Sequence, residues 1–197
     1  MIRTNLDMGW TVAEAGSRNN PAERVDLPHD WSIHQKTRPD APGAGSNGFF
    51  PGAALIYRKE IALPEKPCQA LLELDGAYRN CEVAVNGNTV AQHAYGYTAF
   101  FADLTRYARF GEVNEIAITV NNSAMPNSRW YSGAGIYRPV TLWVGPEAHL
   151  LLDGLYEVYR RNTAQALSNR PALSAANTLH RKSPCMAMPP YRGFILS

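Results

Sequence analysis

At 197 residues, with 45% hydrophobic and 18% charged side chains and a net charge of +2, the chain is long enough for a sizeable core and too apolar for wholesale disorder. No apolar run approaches the ~18 residues of a membrane span, and the amino-terminal MIRTNLDMGWTVAEAG lacks the apolar core of a signal peptide, so a cytoplasmic protein with no membrane partner is expected. Residues 160–197 hold six of the 19 basic side chains and none of the 17 acidic ones, yet these charges are too sparse and unorganised to predict a nucleic-acid partner.

In chain order, the first feature is a pair of adjacent titratable residues, His29 and Asp30, in LPHDW. Neighbours on an extended strand point to opposite faces, so they are not expected to act as an acid–base dyad. Residues 38–56, RPDAPGAGSNGFFPGAALI, read as a long Gly/Pro-rich loop. YRKEIAL then places Tyr57, Ile61 and Leu63 on one face of a strand and Arg58 and Glu60 on the other. CEVAVNGNTVAQH predicts a hairpin, because Val83 and Val85 alternate with Glu82 and Ala84 and Asn86-Gly87 tolerates the positive φ of a tight turn. A short helical turn is expected from Asp103 to about Tyr107, ended near Gly111. EIAITVN and VTLWV supply further half-buried strands through Ile116, Ile118 and Val120, and through Val140, Leu142 and Val144. The fold class implied is all-β, two antiparallel sheets packed as a sandwich. Gly133 and Gly135 are expected to serve backbone geometry or close packing, and Arg138 to form an ion pair with Asp75 or Glu73. Alternation is lost after Tyr159.

Cys68, Cys81 and Cys185 are odd in number and lack metal spacing, so separate reduced thiols are expected. The five histidines (His29, His34, His93, His149, His180) include no helical pair and no cysteine neighbour, and no protein-built metal site is expected.

VDLPHDW, YRKEIALP, LELDGAYRNCEVAVNG, YGYTAFFADLT, GEVNEIAITVNN and above all NSRWYSGAGIYRPVTLWV occur in an order and spacing that resemble the sugar-binding jelly-roll domain opening family 2 glycoside hydrolases, most closely their β-galactosidase branch. The match is degraded at residues 52–56, where the family has a Gly-Gly-x-Gly-Trp-like stretch. The resemblance implies a galactose-binding-domain-like jelly roll over residues 1–148 and, at 149–159, the start of a strand toward an immunoglobulin-like domain. The family's two catalytic glutamates stand on a (β/α)₈ barrel beyond that domain, about 5 to 5.5 Å apart as retaining hydrolysis requires. No residue here corresponds to them, so the chain alone is expected to be inactive and to need no cofactor, with Mg²⁺ or Na⁺ used near the barrel of the complete enzyme.

By the same resemblance, the loop ahead of the Gly133–Gly135 stretch approaches the barrel rim and helps close the sugar pocket. It offers Asn127, Ser128, Arg129, Trp130 and Tyr131: rings to stack on a pyranose and donors for its hydroxyls. The structural reading of the same residues is that Trp130 and Tyr131 cover one end of the sandwich and Arg129 pairs with a carboxylate. Asp30 has two readings as well, an interdomain contact or a local turn hydrogen bond. The partners implied are a weakly held β-galactoside-type sugar, the missing immunoglobulin-like and barrel domains, and other copies of the chain through exposed apolar surface. Residues 160–197 form an irregular basic tail. Their joint loss of acids, strand period and resemblance suggests out-of-frame translation, with a natural short protein carrying a disordered extension as the alternative. Two other functions are open, a free-standing carbohydrate-binding module and a protein-interaction sandwich.

Overall fold

Nine consecutive residues with alternating burial form the longest pairing in the fold. The computed structural model describes residues 1–16, 22–66, 69–124 and 131–146. Within it, β4 (Ala54–Ala62) buries Leu55, Tyr57 and Ile61 and pairs antiparallel along its whole length with β9 (Val113–Asn121), which buries Asn114, Ile116, Ile118 and Val120. The remaining strands are β1 (Ile2–Asn5), β2 (Trp10–Glu14), β3 (Glu23–Val25), β5 (Gln69–Leu74), β6 (Cys81–Val85), β7 (Asn88–His93), β8 (Phe100–Asp103) and β10 (Val140–Gly145). They make two antiparallel sheets, ordered β3-β2-β4-β9-β6-β7 and β1-β10-β5-β8.

The core lies between the sheets. Trp10, Val12, Tyr57, Val83, Val85 and Ile118 come from the larger sheet and Leu72, Leu74, Ala102, Val140 and Leu142 from the smaller. Burying each large aliphatic or aromatic side chain contributes roughly 1.5–3 kcal/mol, so these facing rows hold the sandwich together. The compact unit they define spans Met1–Pro146. Expectations for residues 149–197, Cys68, Cys185, His149 and His180 fall outside the described residues.

The predicted hairpin is present, with Asn86 at φ 49° and Gly87 at φ 79° joining β6 to β7. Its turn is tied to the body by Asn114, fully buried on β9. The Asn114 Oδ1 accepts from Asn86 Nδ2 (2.8 Å) and the Arg109 amide (2.7 Å), while its Nδ2 donates to the carbonyls of Arg109 and Glu112. All the hydrogen-bonding capacity of a buried amide is thereby engaged.

Two expectations need correction. Ala54, Leu55 and Ile56 belong to β4 rather than to the preceding loop, because Leu55 is fully buried opposite Val120 and offsets the weak strand preference of Ala54. The short turn expected from Asp103 to about Tyr107 is present as one turn between Leu104 and Ala108. Asp103 ends β8 and its carboxylate accepts from the Thr105 amide (2.9 Å), while the Tyr107 and Ala108 amides both donate to the Leu104 carbonyl, which closes a single turn. Arg138 makes no ion pair with Asp75 or Glu73. It is exposed with its guanidinium 5.4 Å from the Tyr137 ring centre, and Glu73 accepts instead from Trp143 Nε1 (2.7 Å) across the strand pair.

Cys81 is a buried free thiol, its pKa pushed up to about 12 by burial and, secondarily, by Glu82, so it is unreactive. No helix among the described residues is long and apolar enough to cross a membrane.

Candidate functional site

Two segments far apart in sequence run alongside each other at one edge of the core. After the Leu27-Pro28 peptide, the His29 amide donates to the Ile136 carbonyl and the Trp31 amide to the Ala134 carbonyl, both at 2.8 Å. This ladder leaves the side chain of Asp30 facing the turn at Gly133. One carboxylate oxygen accepts from the backbone amides of Ser32 and Ala134, each at 3.0 Å, and the other from the Tyr131 hydroxyl at 2.6 Å. Gly133, at φ +68°, lets the turn approach, since a Cβ there would lie 2.7 Å from the carboxylate.

The same turn is fixed from two other sides. Asn122, 2% exposed at the end of β9, donates through Nδ2 to the Gly133 carbonyl (2.7 Å), and Gly135 exchanges backbone hydrogen bonds with Tyr78. Gly135 sits at φ +129° against Tyr57 and the His29 carbonyl, where only glycine fits. Both glycines therefore have the role expected of them, backbone geometry and close packing.

Of the predicted pocket-rim residues, the structure brings Asp30 and Tyr131 into direct contact; Asn127, Ser128, Arg129 and Trp130 lie outside the described residues. The flanks of that segment are anchored. Arg79 Nη2 donates to the Ala124 carbonyl (2.9 Å) on one side, and on the other the Tyr131 ring meets Phe50 edge-on with centres 5.1 Å apart. Burial, and then its bond to Asp30, raises the Tyr131 pKa, so the phenol stays protonated and donates. The local hydrogen-bonding reading of Asp30 is thus observed. Sequence reasoning missed Asn122, Phe50 and Tyr78, and only Asn122 left a trace, as a polar residue closing an apolar strand.

His29 and Asp30 do not act together, as expected: His29 Nδ1 is 2.8 Å from the Tyr57 hydroxyl, while Asp30 is occupied by its three donors. His29 stacks on His34 with ring centres 5.9 Å apart. Its pKa is lowered, first by burial and then by His34, against the weaker opposing pull of Glu23 and Asp30. A histidine whose folded pKa lies below 6.5 binds more protons when unfolded, so its contribution to stability is complete above pH 6.5 and is lost as pH falls toward the folded pKa. Urea midpoints are accordingly expected to fall between pH 7 and pH 5, and to fall less in His29→Gln. Equal losses in both proteins would refute the assignment to His29.

The arrangement is suited to holding a loop, since the Asp30 carboxylate is engaged by two backbone amides and one hydroxyl of the chain's own turns. Among the described residues no cluster of His, Cys, Asp and Glu gathers to hold a metal ion.

Comparison with known proteins gives a consistent picture. The sequence model of "Glycosyl hydrolases family 2, sugar binding domain" matches residues 14–146. Beta-galactosidase BoGH2A of Bacteroides ovatus is 36% identical over 183 residues, an alignment covering 92% of this chain and 21% of that protein. A putative beta-glucuronidase of Formosa agariphila is 32% identical over 151 residues, 72% of this chain and 14% of that one. Among solved structures, a beta-glycosidase from Bacteroides vulgatus superposes with TM-score 0.66 at 34% identity, over 73% of this chain and 20% of its own. A family 2 member from Bacteroides cellulosilyticus gives TM-score 0.65 at 35% identity, over 74% and 21%. The chain spans about a fifth or less of the length of these relatives. Coverage of 92% carries the first alignment past residue 159, where the sequence pattern alone had placed the end of the resemblance.

Proposed function

This chain belongs to the sugar-binding domain family of the family 2 glycosyl hydrolases, and from that membership we propose that it is the non-catalytic scaffold and pocket-rim domain of a β-galactosidase-like enzyme. The observation that carries the reading is the clamp on Asp30. A carboxylate that holds the Ala134 and Ser32 amides and the Tyr131 hydroxyl fixes Tyr131 and the turn that follows it, directly after residues 127–130 in the chain. In the complete enzyme those residues border a sugar site whose other wall and whose catalytic carboxyls belong to the barrel. The ligand class is a β-galactoside or a related glycoside, the names of the relatives spanning beta-galactosidase and beta-glucuronidase. The role requires no cofactor in this chain, any Mg²⁺ or Na⁺ serving the barrel, and the proposed compartment is the cytoplasm.

With half a pocket, binding of small glycosides is too weak to measure. Calorimetric titration of the chain with lactose, a phenyl β-galactoside and a phenyl β-glucuronide at millimolar concentration is expected to give no saturable heat. A saturable isotherm with any of them overturns the rim reading in favour of a free-standing module.

A further inference from the structure

A second surface feature lies in the loop joining β7 to β8, linked through Tyr78 to the Gly133–Gly135 turn. We propose that Tyr95, backed by Tyr97 and Tyr137 and joined by Arg138, forms a surface platform that holds pyranose rings of a β-linked polysaccharide. The platform begins in the core. Tyr78 is 3% exposed, Tyr97 packs on it with ring centres 5.2 Å apart, and Tyr95 packs edge-on against Tyr97 at 5.6 Å yet is 60% exposed. The three rings form a staircase from interior to solvent.

The loop is held in place at several points. Gly96 is buried under the Tyr78 ring, where any Cβ would collide with that ring, and its carbonyl accepts from the Tyr137 hydroxyl at 2.7 Å. At the base, His93 Nε2 and Thr98 Oγ1 lie 2.9 Å apart and the His93 ring stacks on Phe100 at 4.5 Å. An exposed ring on a pinned backbone loses little conformational freedom on binding, which is the physical condition for an aromatic anchor. Arg138 adds an exposed guanidinium 5.4 Å from the Tyr137 ring centre, a fork of N–H donors with no carboxylate partner among the described residues. The exposed Tyr95 ring, together with a planar donor group, matches a pyranose, whose C–H face stacks while its equatorial hydroxyls accept hydrogen bonds. A polysaccharide is the favoured ligand because stacking on one or two tyrosines is individually weak, and only repeated rings along one chain raise the local concentration enough to hold.

The inference rests on the sugar-binding reading of the family but not on the Asp30 site, and its test separates the two. Affinity electrophoresis of the full chain through gels containing soluble galactan or xylan is expected to show retardation of the wild type by at least one polysaccharide. Tyr95→Ala and Tyr95→Leu should reduce the apparent affinity at least tenfold with circular dichroism unchanged, whereas Val113→Ala, at an exposed side chain outside both features, should migrate like wild type. Retardation by neither polysaccharide, or retention that survives both Tyr95 substitutions, overturns the platform. Loss in Tyr131→Phe alone assigns binding to the clamp instead and also overturns it. The absence of heat with small glycosides bears only on the rim reading.

Discussion

Gly135→Ala is expected to lose about 4 kcal/mol of unfolding free energy, seen as a lower urea midpoint at unchanged slope. Two costs add. Gly135 has φ +129°, which L-residues rarely adopt, at about 1–3 kcal/mol, and the new Cβ meets Tyr57 and lies 2.6 Å from the His29 carbonyl oxygen, an overpacking of about 1–3 kcal/mol. Neither neighbour can yield cheaply. Tyr57 is fully buried with its hydroxyl on His29, and the His29 backbone is bonded to Ile136. Gly16→Ala isolates the first cost, since Gly16 has φ +80° with nothing within 4 Å of its Cβ position, and about 1 kcal/mol is expected there. If Gly135→Ala costs no more than Gly16→Ala, close packing of the two segments is not what requires glycine.

Asp30→Ala is expected to cost about 3 kcal/mol by the same measurement. It strands the Ala134 amide, in a residue 2% exposed, the Ser32 amide, in a residue 3% exposed, and the Tyr131 hydroxyl; hydrogen bonds to a charged group contribute about 1.5–3 kcal/mol net, and the three do not add in full because Asp30 is only half-buried. Asp30→Asn keeps one acceptor oxygen and should lose about half as much. Tyr131→Phe removes a single contact and should lose under about 1 kcal/mol. Were the Asp30→Ala loss no larger than that of Tyr131→Phe, the carboxylate would be a surface group and not the clamp described above.

The sequence shows most clearly what depends on near neighbours. Alternation in YRKEIAL, CEVAV and EIAITVN marks strands because a half-buried strand writes its two faces into every second residue, and Asn86-Gly87 marks its turn because few residues tolerate two positive φ angles in succession. β5 was hidden by Leu71, an apolar residue among the outward positions, and β1 by having no buried residue at all. The clamp is harder still to see. Asp30 and Tyr131 are 101 residues apart, and nothing local distinguishes a carboxylate that caps a distant turn from one in solvent. Arg138 illustrates the converse error, since charge alone pairs it with Asp75 or Glu73, whereas the strand register puts Glu73 diagonal to Trp143 and its indole N–H. Family resemblance supplied the neighbourhood of the site, and the geometry supplied its partners.

As a scaffold and rim domain, the role proposed above, this chain supports chemistry done elsewhere. The most direct measurement is hydrolysis of p-nitrophenyl β-galactoside and β-glucuronide by the purified chain, made in a host lacking both activities. No release above the buffer rate is predicted at any protein concentration. Turnover that rises in proportion to the chain and persists through repeated chromatography would contradict the account.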